Sequence, residues 1–196
     1  MKPGEAKYPH LFSPFTLKSL HAKNRIKYAA TETNFNLEDG FVHDREVAWM
    51  EAIARGGPGI VTTQGAFTDP TGEGKGYVGM MGIHDDKFIP GLKRIAGVIH
   101  KHGAAAILQL MDCGRVGGIH LDYTVGPSAV PQRIPRFREP REMTIEQIEQ
   151  VVRNNHDGAR RVIEAGYDAV EISGIVGYLV SNFNSSYTNR RTDRYG

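Results

Sequence analysis

One cysteine, Cys113, stands in the whole chain of 196 residues. It cannot form a disulfide within the chain, and a cysteine-clustered zinc or iron–sulfur site cannot be assembled from it. A single Cys in this setting reads as a small buried hydrophobe. Long apolar runs are missing too. Nothing approaches the ~18 uninterrupted apolar residues of a membrane-spanning helix, and the opening stretch MKPGEAKYPHLFSPF is polar and Pro-interrupted, without the apolar run of a signal peptide. Charge of one sign is scarce: 24 Lys and Arg stand against 22 Asp and Glu, a formal net charge of +2, so no strong field favours nucleic acid or a membrane surface. The basic run RIPRFREPR (133–141) is broken by Pro and Glu and reads as a solvated loop. The expectation is a soluble, cytoplasmic protein with no nucleic-acid partner, no membrane partner and no metal site.

What the chain does have is a recurring order. Four short apolar or β-rich runs, RIKYAAT (25–31), GIVTTQGAF (59–67), AAAILQLM (104–111) and YDAVEIS (167–173), read as strands. Three of them follow a Gly that ends the preceding helix in the left-handed conformation, with the strand starting two to four residues later. The segments in front carry helical spacing. One face of 43–57 gathers Val47, Met50, Ile53 and Ala54; the next helix gathers Leu92, Ile95, Ala96 and Ile99. The third opens on Thr144 with Gln147 three residues on, a capping-box pattern, and its stripe is Ile145, Ile148, Val152, Ala159, Val162 and Ile163. The order β-α-β-α-β-α-β, with near-continuous apolar strands, predicts a parallel sheet buried on both faces.

An open doubly wound sheet and a (β/α)8 barrel both suit that order. No Gly-x-Gly-x-x-Gly follows the first strand, where a dinucleotide-binding fold needs one. The Gly-rich TDPTGEGKGYVG (68–79) follows the second strand and reads as a flexible lid or loop. Polar residues gather instead at the C-terminal end of every strand: Thr31 and Glu32, Gln64, Gln109 and Asp112, Ser173 and Tyr178. That distribution favours the barrel, whose chemistry lies on the C-terminal rim.

Five segments in register carry a resemblance: LFSPFTLKSLHAKNRI (11–26), ILQLMDCGR (107–115), GPSAVP (126–131), PREMTIEQI (140–148) and EISGIVGYLVSNF…NRRTDRYG (171–196). The chain resembles the old yellow enzyme family of FMN-dependent barrel reductases across nearly its whole length. It looks most similar to the branch with 2,4-dienoyl-CoA reductases, enoate reductases and bile-acid-type oxidoreductases. The resemblance implies an α/β fold, the N-terminal half (about four β/α units) of a TIM (β/α)8 barrel with parallel strands, since such a barrel needs about 250 residues. Residues 1–196 are then a partial FMN-binding TIM-barrel domain, truncated after the fourth strand. An iron–sulfur cluster and FAD belong only to a longer parent chain.

The implied activity is ene reduction: hydride passes from NAD(P)H through FMN to a C=C conjugated to a thioester, acid or ketone, the small-molecule partner. Carried over by motif, Ala30 and Thr31 meet the flavin edge through main chain. Gly65 matches the position whose amide approaches the ring, where the lack of a Cβ permits contact. Gln109 matches the glutamine whose carboxamide, donor and acceptor together, pairs with the pyrimidine part. Tyr178 matches the proton donor, a phenol that stays protonated at neutral pH. Two departures stand out. The paired His and Asn or His that grip a substrate carbonyl in other family members are Ser173 and Val176 here. HxGR reads DCGR, with Asp112 for His, and a local Asp112–Arg115 ion pair is expected to shape the rim. NRRTDRYG is expected to brace the closing loop.

A second reading stays open: a catalytically inactive half-barrel that needs a complementary chain or a homo-oligomer. A third, Schiff-base chemistry, lacks a strand-end lysine, since Lys27 lies within the first strand and Lys75 in the Gly-rich loop.

Overall fold

A computed structural model of the chain describes residues 3–134, 138–175 and 177–196. Two short helices, α1 (Pro3–Lys7) and α2 (Pro9–Phe12), lead into an antiparallel hairpin of β1 (Phe15–Leu17) and β2 (Leu20–Ala22). Then come β3 (Lys27–Tyr28), α3 (Asp44–Arg55), β4 (Ile60–Phe67), β5 (Met81–Gly82), α4 (Ile89–Lys101) and β6 (Ala105–Leu110). A small parallel pair, β7 (Thr124–Gly126) and β8 (Pro140–Glu142), precedes α5 (Ile145–Glu164), β9 (Ala169–Ile172) and α6 (Leu179–Asn184). The main sheet is parallel in the order β3-β4-β6-β9, with β5 added beside β4. This is the expected α/β arrangement of successive crossovers.

Gly57, Gly103 and Gly166 all have positive φ, +97°, +69° and +86°. Each turns the chain out of a helix in a conformation that a Cβ disfavours, and a strand follows within three residues. At the other end of α5, Gln147 N–H donates to Thr144 Oγ1 at 3.2 Å while Thr144 N–H donates to Gln147 Oε1 at 2.8 Å, the reciprocal cap foreseen from the spacing.

The two faces of β6 divide by parity. Ala106, Leu108 and Leu110 meet Met50, Leu92, Ile95, Ile99 and Val162 from the helices. Ala105 and Ile107 turn the other way and meet Leu20, Ala22, Phe15, Ile60 and Ala169. The hairpin thus plugs the N-terminal end of the inner face. The sequence patterning did not reveal this, because each of its strands has only three residues.

Above that plug the inner face is concave. Lys27 Nζ on β3 donates to Glu171 Oε2 on β9, across both intervening strands. In a flat sheet three strand spacings amount to about 14 Å, so the bond requires the sheet to curl.

Three expectations are corrected. The first strand is two residues long rather than seven, because the backbone leaves the sheet beyond Tyr28. Val152 and Ile163 of the α5 stripe are exposed, as is Ile172 at the end of β9, which pairs only with β6 among the described residues. The register of β4 against β6 shifts between Thr62 and Gly65: three steps on β4 match two on β6, from Ile107 to Gln109. This bulge turns Gln64 from the rim toward the helix side, where its Nε2 donates to Thr33 Oγ1 at 2.9 Å. Thr33 Oγ1 in turn donates to Glu46 on α3, a fully buried carboxyl whose pKa burial raises.

Candidate active site

At the C-terminal ends of the strands lies a cavity of about 290 Å³. Ala30, Thr31, Gly65, Gln109 and Tyr178 all line it, with Glu32, Met111, Ser173 and Ile175. Residues 148 positions apart in the chain are therefore neighbours, because the parallel register places Gly65 opposite Gln109 and Gln109 opposite Glu171. Neither Lys27 nor Lys75 lines the cavity. Lys75 Nζ is held by the Glu38 carbonyl, with the Phe67 ring 5.6 Å away.

Gln109 is buried, and its Nε2 donates to Glu171 Oε1 at 2.7 Å. The other Glu171 oxygen takes Lys27, so the amide is fixed by a carboxylate that is itself fixed. One amide N–H and the amide oxygen remain for a ligand. Sequence reasoning missed Glu171; the signal was an acid inside the apolar run DAVEIS, with Lys27 inside the first run.

Gly65 is held to glycine by a contact that the sequence did not suggest. A Cβ there would meet Met111 Cβ and Cε at 2.7 Å and Sδ at 2.9 Å. The space is filled by this chain's own methionine. Gly65→Ala is accordingly predicted to lower stability by about 1–3 kcal/mol through overpacking, and to displace Met111 into the cavity. Thermal denaturation of the variant beside wild type checks this, and an unchanged midpoint would count against it.

Two polar atoms at the wall are buried without a hydrogen-bond partner among the described residues: Glu32 Oε2 and Ser173 Oγ. Glu32 Oε1 accepts only a long 3.4 Å contact from Asn34 N–H. Burial, opposed by that N–H and aided by the nearby Glu46, pushes the Glu32 carboxyl up to about 8. It is therefore a neutral acid at pH 7, which the spelling of the segment does not disclose.

Tyr178 caps the start of α6, and its hydroxyl lies 2.6 Å from the hydroxyl of Tyr77. Burial, and then that bond, push the Tyr178 phenol above the usual tyrosine range. Tyr77 comes from the Gly-rich loop, 101 positions away, and no local signal singled it out. The loop is tied down rather than free. Cys113 N–H donates to Gly74 O at 2.9 Å, Gly118 N–H to Glu73 O at 2.8 Å and Ile119 N–H to Lys75 O at 3.1 Å.

The Asp112–Arg115 pair does not form. Asp112 Oδ1 accepts from Gly114 N–H at 2.8 Å, and the carboxyl is pushed up to about 7 by burial and by Asp69 beside it. Arg115 Nη1 instead donates to the carbonyls of Val130 and Pro131 at 3.3 and 3.4 Å. Cys113 is fully buried, with its thiol pKa raised by burial. The closing segment does brace its loop: Arg191 Nη1 donates to Pro127 O at 3.0 Å and Met143 O at 2.6 Å. Val176, and residues 135–137 of the basic run, lie outside the described residues.

A model of the NADH:flavin oxidoreductase / NADH oxidase family matches residues 10–196. The chain belongs to that family. It is 37% identical over 189 residues to the "Metal reductase" of Desulforamulus reducens, covering 95% of this chain and 27% of that protein. It is 38% identical to the probable NADH-dependent flavin oxidoreductase YqiG of Bacillus subtilis, covering 97% of this chain and 51% of the relative. Among solved structures, 2-naphthoyl-CoA reductase in complex with 2-naphthoyl-CoA superposes with a TM-score of 0.93 at 40% identity, over 96% of this chain and 31% of that one. Morphinone reductase in complex with tetrahydroNAD superposes with a TM-score of 0.86 at 26% identity, over 96% and 55%. The chain thus spans about half, or less, of the length of these relatives. No helix among the described residues is long and apolar enough to cross a membrane.

Proposed function

We propose that this chain supplies the ring-facing and proton-donating part of an FMN-dependent ene reductase. In that reading NAD(P)H is the reductant and the substrate is a C=C conjugated to a thioester, acid or ketone. The observation that carries it is the convergence of Gln109 and Tyr178 on one cavity. The wall suits a flat ring edged with nitrogens and carbonyls: it offers the spare amide groups of Gln109, the proton of neutral Glu32 and the unpartnered Ser173 hydroxyl. Its volume, about 290 Å³, falls just short of the roughly 300–1,000 Å³ typical of small-molecule sites, and no Lys or Arg among the described residues lines it for a phosphate.

FMN, when bound, supplies hydride to the β carbon. This chain's residues do the rest. Gln109, held by Glu171 and Lys27, orients the ring. Ala30 and Thr31 line one side through main chain and small side chains. Tyr178 delivers a proton to the α carbon, where the electron pair has collected. Two relatives bear on substrate and reductant: one is a reductase solved with a CoA thioester, the other a reductase solved with tetrahydroNAD. The test is the protein produced from its complete reading frame. It is expected to purify yellow with FMN and to oxidise NADH or NADPH when given a conjugated enoyl thioester. A colourless product that takes up no FMN on reconstitution would falsify the assignment.

Exposed Ile172 on β9, which pairs only with β6 among the described residues, favours a second reading, a half-barrel that works only when a complementary chain or another copy covers that edge. On this reading the 196-residue chain alone binds FMN poorly and turns over nothing. Stoichiometric flavin with steady alkene reduction by the isolated chain excludes it.

A further inference from the structure

Tyr178 does not face its cavity alone. Among the described residues, the only hydrogen bond made by its hydroxyl is to the hydroxyl of Tyr77 at 2.6 Å, and the reverse also holds. Both rings pack against the same apolar cluster of Phe67, Met80, Met111 and Cys113, which offers neither hydroxyl another strong partner. Each phenol also lines a different space. Tyr178 lines the cavity shared with Gly65 and Gln109; Tyr77 lines a second cavity of about 340 Å³, with Cys113, Val116, Ile119 and Arg138. Their hydrogen bond therefore joins a residue of one space to a residue of the other. The stitched Gly-rich loop keeps Tyr77 there through the main-chain bonds of Gly74, Glu73 and Lys75.

A ligand filling the first cavity covers the Tyr178 hydroxyl from that side. A phenol that has given up its proton in this half-buried site is strongly basic, because burial disfavours its anion. It must regain a proton each turnover, and the second cavity is large enough to hold water. We propose that Tyr77 relays a proton from water in the second cavity to Tyr178, which faces the first; this rests on Tyr178 being the proton donor.

The atoms balance with no further reagent. Once hydride has reached the β carbon, the electron pair at the α carbon takes the Tyr178 proton, so a C–H bond forms as that O–H bond breaks. In the same transition state Tyr77 gives its proton to the Tyr178 oxygen, from which it is 2.6 Å away. Water gives one to Tyr77, and the hydroxide left behind passes to bulk buffer. Tyr77 touches neither substrate nor cofactor. It is a positioning and relay residue.

The experiment uses Tyr77→Phe in the complete protein, with Tyr178→Phe alongside. Tyr77→Phe is expected to lower kcat for alkene reduction measurably but by less than the roughly 100-fold lower bound for a group that donates directly, leaving KM and the rate of flavin reduction by NAD(P)H unchanged. A proton inventory in mixed light and heavy water is expected to be curved in wild type, with two protons in flight, and linear in the variant. Independently of turnover, the 13Cζ resonance of Tyr178 in tyrosine-labelled protein is expected to move in Tyr77→Phe. An unchanged kcat, or an inventory still curved in the variant, overturns the relay while leaving Tyr178 as donor. A Tyr178→Phe enzyme as fast as wild type overturns the underlying reading instead. If Tyr77→Phe does not fold, Ile119→Trp decides: it fills the second cavity with Tyr77 intact, and an unslowed rate rejects the proposal.

Discussion

Tyr178→Phe in the complete protein is expected to slow alkene reduction by about 100- to 10,000-fold, the range that a positioned general acid contributes. Flavin reduction by NAD(P)H is expected to keep its wild-type rate. The asymmetry follows from where the phenol stands. It faces the cavity rather than the core, its ring is held by Phe67, Met80, Met111 and Cys113, and its loss leaves no buried orphan except the Tyr77 hydroxyl, which solvent in the second cavity can satisfy. Phe preserves the ring and its packing, so the change removes one proton and little else. Because burial and Tyr77 raise the phenol above the ordinary tyrosine range, it stays protonated throughout the neutral region, and wild-type rates should show no Tyr178 limb there. Anaerobic rapid mixing separates the two half-reactions. Equal slowing of both would mean that Tyr178 positions the flavin rather than the proton.

Glu32→Gln should change how stability responds to pH. The unfolded carboxyl ionises near its ordinary 4.5, whereas the folded one keeps its proton to about 8, mainly because of burial. Between those values the folded state binds more protons than the unfolded state, so stability falls as pH rises. The contribution is fully present below about 4.5 and is lost through about 8. Glutamine has the same shape and no ionisation, so the variant should gain on wild type as pH climbs, by roughly 5 kcal/mol at most at pH 9 relative to pH 4. Glu46 and Asp112, both raised as well, keep some slope in the variant because they act with the same sign. Urea unfolding of both chains at several pH values checks this. Parallel curves from pH 4 to 9 would show that Glu32 is ionised in the fold and that its environment is wetter than its contacts imply.

Helix α4 was legible because one rule governs it. Leu92, Ile95, Ala96 and Ile99 repeat at helical spacing, and all four are buried against the sheet. The same rule placed Ile148 and Val162 of α5 correctly but misjudged Val152 and Ile163, which share the spacing and are exposed, because periodicity marks a face without saying how far its cover extends. Motif likeness brought Ala30, Thr31, Gly65, Gln109 and Tyr178 together before any coordinates, since parallel strands carry their C-terminal ends to one rim. Their immediate partners were not legible. Glu171 holds Gln109, Met111 occupies the space beside Gly65 and Tyr77 holds Tyr178, and each pairing depends on tertiary distance rather than spacing. The Asp112–Arg115 expectation failed for a related reason: opposite charges three positions apart need a backbone that turns them together. Here the turn gives the acid to an amide and the guanidinium to carbonyls.

The extra residue between Thr62 and Gly65 makes β4 two short rods joined out of phase. Below the joint, Ile60 and Val61 answer to the hairpin plug and the helices; above it, Gly65 and Phe67 answer to the rim. Ala66, between those two, still packs into the same core as Val61, so a change of bulk in the lower rod is felt by the one residue of the upper rod that looks away from the cavity.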